Sequence, residues 1–306
     1  MKLLIEGSNL RGEVAIPGSK SHTIRAVALA ALASGESVIE HPLESADAHA
    51  ARDAYRALGA EIEEGETAWR VRGTGAHLRT PDTVIDVGNS GTTMNIALGS
   101  AALLEKGVAV LTGDEQVRRR PNGPLAGALN ALGARVESTR GNGCPPFVVR
   151  GGLRGGETAF EAPTSQYVTA LLMNCPLAPD DTRLHIPLMH EKPYVTITLD
   201  WLARLGVKVE HDEALSEFHI PGRQSYPAFQ RRIPGDFSSA TFFLAAGALP
   251  DNEVFSIGLD MTDTQGDKAV VDYLRQMGAR VEVRENGIQV TAERLNGAEL
   301  DLNATP

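Results

Sequence analysis

The chain of 306 residues is long enough for two domains, and 42% hydrophobic with only 5% aromatic content predicts cores built from Ala, Leu, Val and Ile. A net charge of −10 argues against nucleic acid as the main partner, while a local run such as Arg118, Arg119 and Arg120 still allows a basic cleft for a small anion. No apolar run reaches membrane-spanning length, the opening MKLLIEGSNLRG turns polar by Glu6, unlike a secretory leader, and two cysteines, Cys144 and Cys175, fit a reducing cytoplasm, not a disulfide framework. In chain order, Ser21–Ala33 is apolar almost all round and predicts a buried helix, followed by a strand-like run at Ser37–Glu40. Next come a helical stripe at Ala51, Ala54, Tyr55 and Leu58, a closing Gly59, a short strand and a second strand at Trp69–Arg72.

The same succession returns. A buried helix near Ser90–Leu104 and a strand at Val108–Thr112 precede a stripe at Leu125, Ala128, Leu129 and Leu132, then Gly133 and a strand at Pro146–Val149. The third passage runs Ser165–Asn174, Thr182–Ile186, the stripe Thr198, Trp201, Leu202 and Leu205, Gly206, and Glu217–Ile220. The fourth runs Ser238–Ala248, Glu253–Ile257, the stripe Val270, Tyr273, Leu274 and Met277, Gly278, then Arg280–Val283 and Ile288–Thr291. One phrase marks each copy: ALGAEIE, ALGARVE, RLGVKVE and QMGARVE, with glycines spaced 74, 73 and 72 residues apart. Such regularity indicates one repeated α/β unit: helix, strand, helix, strand, strand, with a leading strand from the preceding segment. Each glycine falls at the C′ position, where a left-handed residue ends a helix. Ile16-Pro17-Gly18 and Ile233-Pro234-Gly235 bracket the first three units and read as crossings between domains. The expected division is a three-unit domain at residues 19–234 and a second domain from residues 1–18 and 235–306.

The buried helices begin with small polar residues: Lys20-Ser21, Ser90-Gly91-Thr92-Thr93, Thr164-Ser165-Gln166 and Ser238-Ser239. For any one of these, N-capping suffices as an explanation. As a set, four helix starts on one rim, with Lys20, Arg25 and Arg120, also make a site for several anions, and both readings stand. Pro17-Gly18-Ser19-Lys20 lacks the Walker pattern, and Gly151-Gly152 and Gly155-Gly156 read as turns, not as a dinucleotide fingerprint. Three successive arginines cannot all face one way, so at most two of Arg118, Arg119 and Arg120 enter a site. His185 and His190 do not make a metal-ligand pattern, and Asp236 and Asp267 are acids or caps.

At these residues the chain resembles the enolpyruvyl transferases, specifically the EPSP synthase family. The motifs are Pro17-Gly18-Ser19-Lys20-Ser21 with Arg25; Gly88-Asn89-Ser90-Gly91-Thr92-Thr93; Arg119-Arg120-Pro121; Ser165-Gln166-Tyr167 with Thr169-Ala170-Leu171-Leu172-Met173; Lys192-Pro193-Tyr194; and Gly235-Asp236 with Ser238-Ser239-Ala240. They keep the family's order and spacing over the whole chain. The resemblance implies an inside-out α/β barrel fold of six βαβαββ units in two domains, of which this chain would hold four. It implies transfer of the enolpyruvyl group from phosphoenolpyruvate to the 5-hydroxyl of shikimate 3-phosphate, with release of phosphate, in aromatic amino-acid biosynthesis. No metal or other cofactor is implied, nor any nucleic-acid or membrane partner.

Carried over residue by residue, Lys20 is the expected catalytic residue, touching both substrates and helping proton transfer. Ser21, Arg25, Thr164, Ser165, Gln166, Glu191 and Tyr194 fall on the shikimate 3-phosphate site, and Gly91, Arg120 and Gln166 on the phosphoenolpyruvate site. The chain departs from the pattern at Asn95-Ile96, where many members have Arg-Pro, at Thr164, usually serine, and at Glu191, where a serine often meets the substrate phosphate. A carboxylate there repels phosphate unless a cation offsets it. Asp301-Leu302-Asn303-Ala304-Thr305-Pro306 resembles the segment just before the family's main carboxylate base. On that alignment the second domain is partial, one unit of three, and the chain alone is expected to be inactive, with self-association or a complementing C-terminal segment as possible partners. Two other readings remain at this level: the related transferase acting on UDP-N-acetylglucosamine, and a non-catalytic ligand-binding fragment.

Overall fold

The computed structural model describes Leu4, residues 9–302 and Thr305. Glu6 of the opening and residues 303, 304 and 306 of the tail motif lie outside the described residues.

The chain begins with β1 (Arg11–Ala15), α1 (Lys20–Leu32), β2 (Glu36–Glu40), α2 (Ala46–Ala57), β3 (Glu61–Glu64) and β4 (Ala68–Arg72). It continues through β5 (Ile85–Asp86), α3 (Gly91–Ala101), β6 (Ala109–Thr112), α4 (Gly123–Ala131), β7 (Arg135–Ser138) and β8 (Phe147–Arg150). Then follow β9 (Gly156–Ala159), α5 (Ser165–Asn174), β10 (Thr182–His185), α6 (Lys192–Arg204), β11 (Glu210–His211) and β12 (Glu217–Ile220). The last are β13 (Gln230–Arg232), α7 (Phe237–Gly247), β14 (Glu253–Ile257), α8 (Val270–Gln276), β15 (Arg280–Arg284) and β16 (Gly287–Thr291). No helix among the described residues is long and apolar enough to cross a membrane.

The chain forms two compact units, Lys20–Ile233 and a smaller one made of Met1–Ser19 with Pro234–Pro306. The larger holds three four-stranded sheets, ordered β13-β2-β4-β3, β5-β6-β8-β7 and β9-β10-β12-β11; the smaller holds one, β1-β14-β16-β15. In every sheet the leading strand runs parallel to its neighbour and the remaining pairs of neighbours are antiparallel. The sequence places a leading strand before each helix, but the first sheet takes its own from the far end of the unit, with Gln230 opposite Val38. The strand that precedes α1 is committed elsewhere, since β1 pairs with β14, Arg11 opposite Glu253. Using β13 in its place covers the edge of β2, which would otherwise expose unpaired backbone groups.

The four repeat glycines close their helices as the spacing predicts. Gly59, Gly133, Gly206 and Gly278 have φ of 109°, 102°, 75° and 97°. The amides of Gly59, Gly133, Gly206 and Gly278 donate to Arg56, Asn130, Ala203 and Arg275. The amides of the following residues reach back to Tyr55, Leu129, Leu202 and Leu274. This double closure is the Schellman arrangement, and it turns the chain directly into the next strand or its approach.

Helices α1, α3 and α5 are almost wholly buried, and α1 packs on α2, α3 and α6 while α5 packs on α3 and α6. Small residues let backbones approach closely, as where Gly99 of α3 meets Ala170 of α5, and the outer helices present the amphipathic stripes. Inside this core Tyr55 shares a 2.8 Å hydrogen bond with Ser100, which donates to Asn174, so these three buried polar side chains satisfy one another. Helix α7 departs from expectation. Its apolar composition predicts burial all round, yet Phe242 is 79% exposed and Phe243 is exposed as well. Only its Phe237, Ala240, Leu244 face reaches the small core with Ile16, Val271 and Ile288.

Candidate active site

The N-terminal end of α1 carries Lys20 and Ser21 at the start of the larger unit. Lys20 is exposed and makes no hydrogen bond or ion pair among the described residues. Arg25, one turn on, is only 2% exposed. Its guanidinium donates to Thr198 Oγ1 (2.9 Å), the Ser21 carbonyl (2.9 Å), Thr169 Oγ1 (3.2 Å) and the Tyr194 carbonyl (2.9 Å). It thereby joins α1, α5 and α6. No carboxylate pairs with it among the described residues, and burial lowers its pKa to about 10, which leaves it protonated at neutral pH. A buried cation met only by neutral acceptors is an incompletely compensated charge.

The starts of α3 and α5 build the second part. Ser90 caps α3, accepting from the Thr93 amide, and Thr164 caps α5, accepting from the Gln166 amide. Gly91 opens α3, and a Cβ there would lie 2.7 Å from Arg120 Nη1 and 3.7 Å from Gln166 Oε1. The absence of a side chain at Gly91 is therefore what admits the Arg120 guanidinium. A cavity of about 260 Å³ opens here, lined among others by Gly91, Asn95, Arg120, Asn122, Thr164 and Gln166.

Arg120 follows a short 3₁₀ turn, Val117–Arg119, that is organised by Asp114. The Asp114 carboxylate accepts from the Val117 amide (2.9 Å) and from the Asn89 side chain (2.6 Å), fastening the arginine loop to the loop before α3. These two bonds, with smaller help from the Arg120 charge, hold the Asp114 pKa below the ordinary carboxylate range. Of the three arginines, Arg118 donates to the Gly113 carbonyl and Arg119 pairs with Glu115. Arg120 makes no side-chain hydrogen bond among the described residues and faces the cavity.

A chain of amides under this cavity was not legible as a unit in the sequence. Asn122 Nδ2 donates to Asn95 Oδ1 (2.7 Å), and Asn95 Nδ2 donates to Gln166 Oε1 and to the Gly91 carbonyl (2.9 Å each). Asn95 and Asn122 are 3% and 4% exposed. Because Gln166 spends its carbonyl on Asn95, its NH₂ is the end left for the cavity. The departure at Asn95 was a signal; Asn122, next to Arg120-Pro121, offered none.

Glu191 lies in the left-handed region (φ 57°) at the start of α6. Its carboxylate turns to α5, where Oε2 accepts from Thr164 Oγ1 (3.1 Å), the Ser165 amide (3.4 Å) and Ser165 Oγ (3.1 Å). The Glu191 carbonyl also accepts from the Tyr194 amide, 3.1 Å away.

The expected residues therefore fall into three sets, with Thr164 shared by two of them. Gly91, Arg120, Thr164 and Gln166 line the cavity, while Ser21, Arg25 and Tyr194 are joined by hydrogen bonds, as are Thr164, Ser165 and Glu191. Of the two threonines that hold Arg25, Thr169 stands in a motif of the resemblance with no role attached and Thr198 in a helical stripe. Asp236 is a cap: it accepts from the Ser239 amide and hydroxyl. His185 is paired with Glu217, away from the cavity. Glu44, His49 and Glu64 also converge, with ligand atoms within 4.8 Å of one another, but Arg52 and Arg56 already answer Glu64.

Comparison with known proteins gives a consistent result. A family model described as EPSP synthase (3-phosphoshikimate 1-carboxyvinyltransferase) matches residues 5–306. The chain is 46% identical over 306 residues to the 3-phosphoshikimate 1-carboxyvinyltransferase of Ruminiclostridium cellulolyticum, covering 100% of this chain and 72% of that protein. It is 47% identical over the same length to its counterpart in Acetivibrio thermocellus, again covering 100% and 72%. Among solved structures, EPSP synthase from Acinetobacter baumannii matches with a TM-score of 0.82 at 26% identity, covering 97% of this chain and 68% of that one.

Proposed function

The chain belongs to the EPSP synthase (3-phosphoshikimate 1-carboxyvinyltransferase) family, and from that premise we propose how its residues divide the work of carboxyvinyl transfer to 3-phosphoshikimate. The donor is phosphoenolpyruvate and the acceptor the 5-hydroxyl of shikimate 3-phosphate. That hydroxyl attacks C2 of the enolpyruvyl group as the methylene carbon is protonated, and the tetrahedral intermediate then expels phosphate. Both substrates carry a phosphate and a carboxylate, so the site needs fixed cations and aimed N–H groups.

Shikimate 3-phosphate is assigned to the starts of α1, α5 and α6: Ser21, Arg25, Thr164, Ser165, Gln166 and Tyr194, with Glu191 at their edge. Phosphoenolpyruvate is assigned to the cavity beside Gly91, with Arg120 and the Gln166 NH₂ as its donors. Lys20 spans the two and takes part in proton transfer. The observation that carries this reading is Arg25, a buried guanidinium with no carboxylate partner among the described residues, which donates to Thr169, one turn along α5 from the hydroxyl and amide donors of Ser165. The two free cysteines support a cytoplasmic setting.

A thermal-shift comparison of acceptors tests the assignment. Shikimate 3-phosphate is expected to raise the melting temperature in a saturable way, and UDP-N-acetylglucosamine to leave it unchanged. The reverse order would reject this reading in favour of the related transferase.

A further inference from the structure

We propose that Glu191 is an internal anion that occupies the substrate-phosphate cradle in the empty protein and must be displaced by the phosphate, making this residue a brake on phosphate binding at the start of α5. The inference rests on the reading that the start of α5 binds the phosphate of shikimate 3-phosphate. Glu191 sits at the N-terminal boundary of α6, yet its side chain does not cap that helix. It reaches to α5 and takes the Thr164 hydroxyl, the Ser165 amide and the Ser165 hydroxyl on one oxygen. Three donors converging at a helix start are what a phosphate oxygen requires. Glu191 does so from a left-handed backbone that non-glycine residues adopt at a strain cost.

Two charges next to this point have no ion-pair partner among the described residues. One is the Glu191 carboxylate, whose neighbour Lys192 sends its ammonium to the Ala214 carbonyl. The other is the buried Arg25 guanidinium, which donates to Thr169, one turn beyond Ser165 on α5, and to the Tyr194 carbonyl. The Tyr194 amide in turn donates to Glu191. A monoanionic carboxylate therefore holds the donors while the nearby cation stays only partly compensated. A phosphate dianion replaces one charge with two and offers three oxygens for the same donors. A ligand without a phosphate has nothing to exchange for the carboxylate. Glu191 thus weakens binding of every phosphate that must displace it from this cradle and leaves untouched a ligand that does not reach the cradle.

Calorimetric titration of the full chain and its Glu191→Gly and Glu191→Gln variants with shikimate 3-phosphate and with inorganic phosphate tests this. Glycine suits the left-handed backbone, and glutamine keeps the shape without the charge. Both variants are expected to bind shikimate 3-phosphate at least ~tenfold more tightly, the effect of removing one nearby like charge in a partly screened site. Inorganic phosphate should tighten in parallel, while unphosphorylated shikimate stays within ~twofold because it makes no use of the cradle. Unchanged or weaker affinity for shikimate 3-phosphate in both variants overturns the proposal; weaker affinity would make Glu191 a direct ligand instead. Ser165→Ala in the otherwise native chain separates the two levels. If it weakens shikimate 3-phosphate binding while the Glu191 variants do not tighten it, only the displacement is wrong. If it leaves affinity unchanged, the placement of the phosphate at α5 fails too, and the proposal with it.

Discussion

Arg25 and Arg120 show how differently the two arginines of the proposed site are held. Arg25 is fixed by four neutral acceptors on three helices, so it is rigid and incompletely compensated. Arg120 has no such clamp, and its place is set by the absence of a side chain at Gly91. A methyl group at Gly91 would meet Nη1 at 2.7 Å, and the guanidinium, as the end of a flexible chain, would move out of the cavity. The family resemblance implies glyphosate as an inhibitor competing with phosphoenolpyruvate, and Gly91→Ala is expected to weaken its binding, measured with shikimate 3-phosphate present, by about 1–3 kcal/mol, as overpacking does. Equal affinity in the two forms would remove Gly91 and Arg120 from the inhibitor pocket. At this scale the sequence names residues better than contacts. Lys20, Gly91 and Arg120 stand in short motifs, whereas the Asn122–Asn95–Gln166 amide chain depends on which faces of α3 and α5 meet the arginine loop.

The repeated elements were the most legible feature, because a helix stripe and a closing glycine are both local. The four Schellman closures differ in what surrounds them. A Cβ at Gly206 would meet nothing within 4 Å, while at Gly133 it would meet the Gly152 carbonyl at 3.0 Å and the Arg154 side chain at 3.2 Å. Gly206→Ala should therefore cost about 1–2 kcal/mol, the penalty of a left-handed L-residue alone. Gly133→Ala should lose more, and chemical denaturation of the two variants gives the comparison. Equal losses would show that the close contacts at Gly133 relax freely. The β11–β12 turn depends on Asp212, whose carboxylate accepts from the Ser216 hydroxyl and amide and from the Glu217 amide. The Ser216 hydroxyl bond first, then the Glu217 amide, lower its pKa to about 2. Its folded pKa lies below the unfolded value, so the stabilisation is full above the ordinary carboxylate pKa and is lost as pH falls towards 2. The melting temperature of Asp212→Asn should trail the native chain near neutral pH and converge with it across that window. A gap that persists at the acid end would exclude the carboxylate as its source. Helix α7 marks the limit of the local signal: composition announces an apolar surface but not what packs on it, and Phe242 is exposed.

At the scale of the molecule, the repeat in the sequence became four sheets of one strand order. What the repeat could not supply was the partner of β2, because β13 lies about 190 residues further along and nothing local connects the two. That pairing ties the end of the Lys20–Ile233 unit back to its beginning. The α1, α3 and α5 starts, which carry Lys20, Gly91 and Ser165, thus belong to one compact body. The central claim is that this body binds shikimate 3-phosphate around the buried Arg25 charge. The most direct test is calorimetric titration of the native chain and of Arg25→Ala with shikimate 3-phosphate, with circular dichroism confirming that both are folded. The account expects one saturable site in the native chain and a loss of at least ~1.5 kcal/mol in the variant, the low end for a charge-assisted hydrogen bond. Equal affinity in the two folded proteins would contradict it.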